Sequence, residues 1–213
     1  MKDFVSYILR HLLRLYPYRL HVKLQEIYNF FYSLWICNAL GEVGKKVHFA
    51  RPLLLQGGGQ MRIHIGSNTI IGHHTVLGCW ESYGIGDDIE CYEPEIAIGS
   101  HCNIGEYCHI TAIRRISIGD GLLTGRFVFI GDNAHGELSM EEADIPPAQR
   151  HLTSKGVICI GRNVWIGDKV SIFGGVTIGD NVIIGAGSIV THDIPSNCIA
   201  AGIPAKVMRQ LNT

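Results

Sequence analysis

The sequence predicts an all-β fold, a parallel β-helix wound from six-residue repeats and preceded by a short helical segment. Three observations carry this expectation. An aliphatic residue followed by glycine recurs every six residues, at Ile65-Gly66, Ile71-Gly72 and Leu77-Gly78, at Ile98-Gly99 and Ile104-Gly105, and at Ile160-Gly161, Ile166-Gly167, Ile178-Gly179 and Ile184-Gly185. Four residues after the aliphatic stands a small or β-branched residue, as at Thr69, Thr75, Cys102, Cys108, Val128, Ala134, Val164, Val170 and Val182. The period is six, whereas the alternating strands of a β-sandwich would show a period of two.

Residues 1–45 form the expected helical cap. Tyr7, Ile8, Leu12 and Leu15, and later Ile27, Phe30, Phe31 and Leu34, recur at three- and four-residue spacing, and Pro17 divides the segment in two. Covering the open edge of the first coil is the role expected of it. Arg10, Arg14, Arg19 and Lys23 among aromatic residues also fit a peripheral contact with an anionic membrane surface.

Residues 46–213 form the β-helix. Short one-sided strands bury their apolar face only by stacking, with about 4.8 Å between coils. Three hexads per coil place Ile160 beneath Ile178, and Ile166 beneath Ile184. Glycine after the aliphatic is expected to supply the backbone angles of a tight corner. The beat slips at residues 79–97, near Arg114-Arg115 and at 136–156, where loops leave the coil. The last loop is long enough to suggest function, and Pro146-Pro147 stops any helix within it. A capping segment closes the chain.

At 213 residues, 46% hydrophobic and 17% charged, the chain suits one domain with an ample core. Its formal net charge of -1 gives no footprint for nucleic acid. Seven cysteines include no C-x-x-C pair, and Cys102 and Cys108 occupy the small-residue slot of successive repeats, so they read as core filling. No metal is expected. The first residues lack the pattern of a cleavable leader, and the apolar stretch Ile27–Leu40 falls short of the roughly 20 residues that cross a bilayer. A cytoplasmic protein with reduced thiols is expected, at most peripheral to the inner face of the membrane.

The text WIGDKVSIFGGVTIGDNVIIGAGSIV, Trp165 to Val190, followed by THDIPSNCIAAGIPAKVMRQ, resembles the hexapeptide-repeat acetyltransferases that modify sugars and surface polysaccharides. That resemblance implies a left-handed coil, a homotrimer, and acetyl-CoA as acyl donor in a groove between subunits. It places Asp168, Ala186, Thr191 and His192 along the pantetheine arm, and Lys206 and Arg209 near the phosphates. His192 stands where relatives often have lysine, and Phe173-Gly174-Gly175 where many have proline before the glycine.

IGDNAHG, Ile130 to Gly136, matches the family's catalytic stretch and makes His135 the expected catalytic base. In the hexad register His135 follows Ala134, expected to face inward, and so should point outward. Trp165 and His109 share that register, and with Asp132 and Asn133 they are the expected acceptor-binding residues. Imidazole suits removal of a hydroxyl proton near neutral pH. Asp132, Asn133 or a backbone carbonyl would fix its other nitrogen. No G-x-S-x-G elbow is present, so direct transfer without an acyl-enzyme is expected.

The loop text PPAQRHLTSKG, Pro146 to Gly156, looks most like the polysaccharide-modifying branch, which implies O-acetylation of a sugar hydroxyl in capsule, lipopolysaccharide or exopolysaccharide. Serine, a free sugar, an amino sugar or an antibiotic are the alternative acceptors. A γ-carbonic-anhydrase-like zinc enzyme needs an H-x-x-x-x-H pair, yet five residues after His109 and His135 stand Arg114 and Met140. A noncatalytic solenoid scaffold would be expected to carry an outward threonine ladder, which this sequence lacks.

Overall fold

The computed structural model describes residues 2–14, 16–86, 88–137 and 139–211. Leu15 lies outside them, as does the side chain of Leu12, both part of the predicted helical pattern.

Two helices open the chain, α1 (Lys2–Arg14) and α2 (Tyr18–Cys37), with Pro17 at the start of the second in an extended conformation (φ -67°, ψ 148°). Proline there loses nothing, since the first amides of a helix have no partner within it. No described helix is long and apolar enough to cross a membrane.

The rest winds as a parallel β-helix with three faces. The first face stacks Ile63–Ile65, Glu95–Ile98, Arg115–Ile118, Ile158–Ile160 and Thr177–Ile178. The second face runs from His48–Phe49 through Ile70–Ile71, Asn103–Ile104, Leu123–Thr124, Trp165–Ile166 and Ile183–Ile184 to Cys198–Gly202 and Ala205–Gln210. The third face stacks Leu54–Gln56, Val76–Cys79, His109–Ala112, Phe129–Gly131, Ser171–Phe173 and Ile189–Val190. The register is the expected one, with Ile160 opposite Ile178 and Ile166 opposite Ile184. Pairing is parallel on all three faces until the last strand folds back antiparallel on Cys198–Gly202.

Ladders of isoleucine fill the prism, Ile63, Ile96, Ile116 and Ile158 among them, all fully buried. Each such side chain contributes about 1.5–3 kcal/mol relative to exposure. Thr69 and Thr75 also face inward, and their hydroxyls donate to the carbonyls of Gly99 (3.0 Å) and Gly105 (3.2 Å), so no polar cost is left at these positions.

Two expectations about the repeat are corrected. The left-handed backbone at the corners falls on Asn68, His101, Asn163 and Asn181 (φ 54–58°), two residues after the glycine. The glycine answers to close approach between coils: a Cβ on Gly66 would lie 2.5 Å from the amide nitrogen of Ser100 in the next coil. Ala134, expected inside, is exposed, because the chain leaves the coil after Gly131.

All three slips of the repeat occur at one corner, between the third and first faces. The first is an antiparallel hairpin, Ser82–Ile85 with Asp88–Cys91. The second is the short step at Ile113 and Arg114. The third is the long loop, which includes a 3₁₀ turn at Pro147–Gln149 and pairs Leu152–Thr153 antiparallel with Ala134–His135. Stacked coils therefore pile these insertions on one edge of the molecule.

Candidate functional site

At this corner the coil and the long loop line an open cleft of about 600 Å³. Its floor is the corner itself in three successive coils, where Gly131 pairs with Phe173 and Thr191 follows in the next coil. Its walls are Gly136, Glu137, Thr153 and Lys155 from the long loop. Gly174 on the floor has no room for a side chain, since a Cβ there would lie 2.9 Å from the Asp132 carbonyl oxygen and 3.1 Å from that of Gly156.

His135 stands at the lip, exposed, between the cleft residues Ala134 and Gly136. Pairing of Ala134 with Thr153 and of His135 with Leu152 fixes its backbone. Its ring meets Tyr83 of the hairpin edge to face, with centroids 5.2 Å apart. The Tyr83 hydroxyl donates to the Ala148 carbonyl in the long loop (3.0 Å), tying hairpin and loop together. Two further contacts reinforce that join: the Leu152 amide donates to the Tyr92 hydroxyl (3.0 Å), and His151 Nε2 lies 3.1 Å from Asp88 Oδ1. Among the described residues no group hydrogen-bonds the His135 ring.

Asp132 and Asn133 both line the cleft, while the Asp132 carboxylate is turned to a structural task. It is 1% exposed, and its two oxygens accept from the amides of Ile113 (2.8 Å) and Arg114 (2.9 Å). Burial pushes its carboxyl above the usual range, opposed by those amides. Asn133 Nδ2 donates to Thr111 Oγ1 (3.3 Å) and reaches Asp132 Oδ1 (3.4 Å). Neither residue orients the imidazole, as the sequence had offered, because both are held by the preceding coil.

His109 and Trp165 point outward as expected but on different faces. His109 lies on the third face, edge to face with Phe129 at 5.6 Å, and desolvation lowers its pKa. Trp165 lies on the second face between Leu123 and Ile183 and is 52% exposed. His109, Trp165 and His135 thus share a register without sharing a face of one protomer, since equal register positions on successive hexads face different sides of a triangular coil.

The residues assigned to the cofactor divide similarly. Thr191 lines the cleft, and its hydroxyl is 2.9 Å from Nδ1 of the exposed His192. Asp168 and Ala186 are exposed at the corner between the second and third faces, where Asp168 Oδ1 accepts from the Arg126 amide (2.7 Å). Lys206 and Arg209 are exposed on the final strand, opposite Ala201 and Ile199. Sequence reasoning missed Tyr83, Glu137, Thr153 and Lys155. A signal for the clustering was available: each slip follows the third hexad of its coil, so the insertions had to share a corner.

The model of the bacterial transferase hexapeptide, six repeats, matches residues 160–192. A putative lipopolysaccharide biosynthesis O-acetyl transferase of Escherichia coli K12 is 37% identical over 121 residues, 55% of this chain and 61% of that protein. The galactoside O-acetyltransferase of the same organism is 44% identical over 102 residues, 46% of this chain and 45% of that protein. The chain thus spans about half the length of these two relatives. The solved galactoside acetyltransferase in complex with coenzyme A superposes on 83% of this chain and 68% of its own, with 30% identity and a TM-score of 0.54, and fixes the coil as left-handed. On these grounds the chain belongs to the hexapeptide-repeat acyltransferase family.

Proposed function

We propose that this protein is an acetyl-CoA-dependent O-acetyltransferase that modifies a sugar hydroxyl of a surface polysaccharide precursor. The observation that carries the reading is the exposed imidazole of His135 at the lip of the cleft, in a chain similar to sugar acetyltransferases. The acceptor hydroxyl oxygen attacks the thioester carbonyl carbon while His135 takes its proton. The carbon–sulfur bond then breaks, and the proton passes to the departing thiolate, giving the acetyl ester and free coenzyme A. No group of the protein is acylated. Lys155 and Thr191 on the cleft lining supply a cation and a hydroxyl near the reacting groups.

The division of the expected site residues over different faces supports a homotrimer. If Trp165 and Asp168 serve the same reaction as His135, a neighbouring subunit brings them to the cleft, so the site is shared between protomers. Lys206 and Arg209, both exposed, are then free to meet the anionic nucleotide end of coenzyme A.

The test is incubation of purified protein and acetyl-CoA with nucleotide-linked and lipid-linked glycans, alongside serine and aminoglycosides. Acetylation of a glycan is expected. Acetylation confined to serine or an antibiotic contradicts the reading.

A further inference from the structure

Helix α2 docks on the β-helix through a mixed face, on which Ile36 enters the hydrophobic core, Tyr32 and Cys37 pack against that core, and polar contacts lie beside them. Ser33 and Ile36 are buried, and Ser33 Oγ accepts from the Phe49 amide (2.9 Å) and donates to the Asn29 carbonyl (2.8 Å). Tyr32 Oη accepts from the Leu53 amide (2.9 Å). The residues whose spacing predicts an apolar stripe lie on the opposite side. Leu20, Leu24, Ile27, Phe31 and Leu34 recur at alternating four- and three-residue steps and are all exposed, Ile27 by 55% and Phe31 by 64%. Trp35 beside them is 67% exposed. Capping the first coil therefore does not account for this stripe.

Helix α1 has the same character. Phe4, Val5, Ile8, Leu9 and Leu13 fall on one half of the helix, Asp3, Ser6 and Arg10 on the other, and every described side chain is exposed. Two amphipathic helices thus present apolar faces with no partner among the described residues.

Charge and composition identify the occupant. Residues 2–37 hold five basic and two acidic residues, net +3, whereas the whole chain is -1, so the remainder is net -4. Nine of the chain's eighteen aromatic residues also lie in this segment. A seam for a second helix would favour aliphatic residues and balanced charge. Exposed aromatics and leucines flanked by Lys and Arg match a helix lying in the headgroup region of an anionic bilayer.

We infer that α1 and the outer face of α2 bind an anionic membrane surface, and that the site works on acceptors carried by membrane lipid. The second half of this inference rests on the proposed function. The first half stands without it, and its test reads lipid binding alone.

Full-length protein is sedimented with phosphatidylcholine vesicles, with and without phosphatidylglycerol, and its coenzyme A affinity is measured in parallel. At least about tenfold tighter binding to the anionic vesicles is expected, weakening with added salt. The double variant Ile8→Glu/Phe31→Glu, altered only at exposed positions, should lose about tenfold or more of that binding while keeping its helix content by circular dichroism and its coenzyme A affinity. Absence of binding to anionic vesicles, or equal binding by the variant, overturns the inference. So does a variant whose oligomeric mass falls while its vesicle binding is unchanged, because the stripe then joins subunits. Vesicle binding by a protein that acetylates no glycan would reject the acceptor class and leave the docking surface standing.

Discussion

Asp132 separates a structural from a substrate-binding role at the level of one side chain. Its carboxylate answers two backbone amides beneath the cleft, so Asp132→Ala should lower stability by about 2–3 kcal/mol, read from the denaturant midpoint. Unchanged stability with a raised KM would assign it to the acceptor. His109 gives a pH signature. Burial holds its imidazole below the usual range, so the fold prefers the neutral ring. Its contribution is full above the unfolded value of about 6.5 and is lost as pH falls through the folded value. The Tm of the wild type should therefore decline relative to His109→Gln between about pH 7.5 and 5.5. A constant difference contradicts this. The exposure of His135 was legible in the sequence, but for a reason that failed: Ala134 does not face inward, because the chain departs from the coil at Asp132.

At the scale of elements, the isoleucine ladders and three-hexad coil were legible because inward positions repeat regardless of what loops do between them. The hairpin at Ser82–Cys91 was not, since its sequence breaks the beat without announcing an antiparallel pair, and its packing against His135, Ala148 and His151 is what gives it a role. The cap was legible as two helices divided at Pro17, while the face that docks was not, because Ile36, Tyr32 and Cys37 meet the core beside Ser33 and the apolar spacing marks the opposite, exposed side. Ser33→Ala should detach that contact in part, removing an acceptor from the buried Phe49 amide at a cost of about 1–2 kcal/mol in urea unfolding. A neutral effect would place α2 elsewhere.

At the scale of the whole molecule the proposed homotrimer is the point at issue. Trp165 and Asp168 sit away from the cleft that His135 overlooks, and a threefold ring is the arrangement proposed to bring them to it. Sedimentation velocity should give three times the 23.5 kDa chain mass, and a monomer would leave the shared site without support. In the proposed reaction His135 is the group that takes the acceptor proton. The most direct test of this role is the rate of acetyl transfer by His135→Ala to the glycan that the wild type accepts, with coenzyme A affinity measured on the same preparation. A fall of at least about a hundredfold at unchanged affinity is predicted. Turnover at the wild-type rate would contradict it.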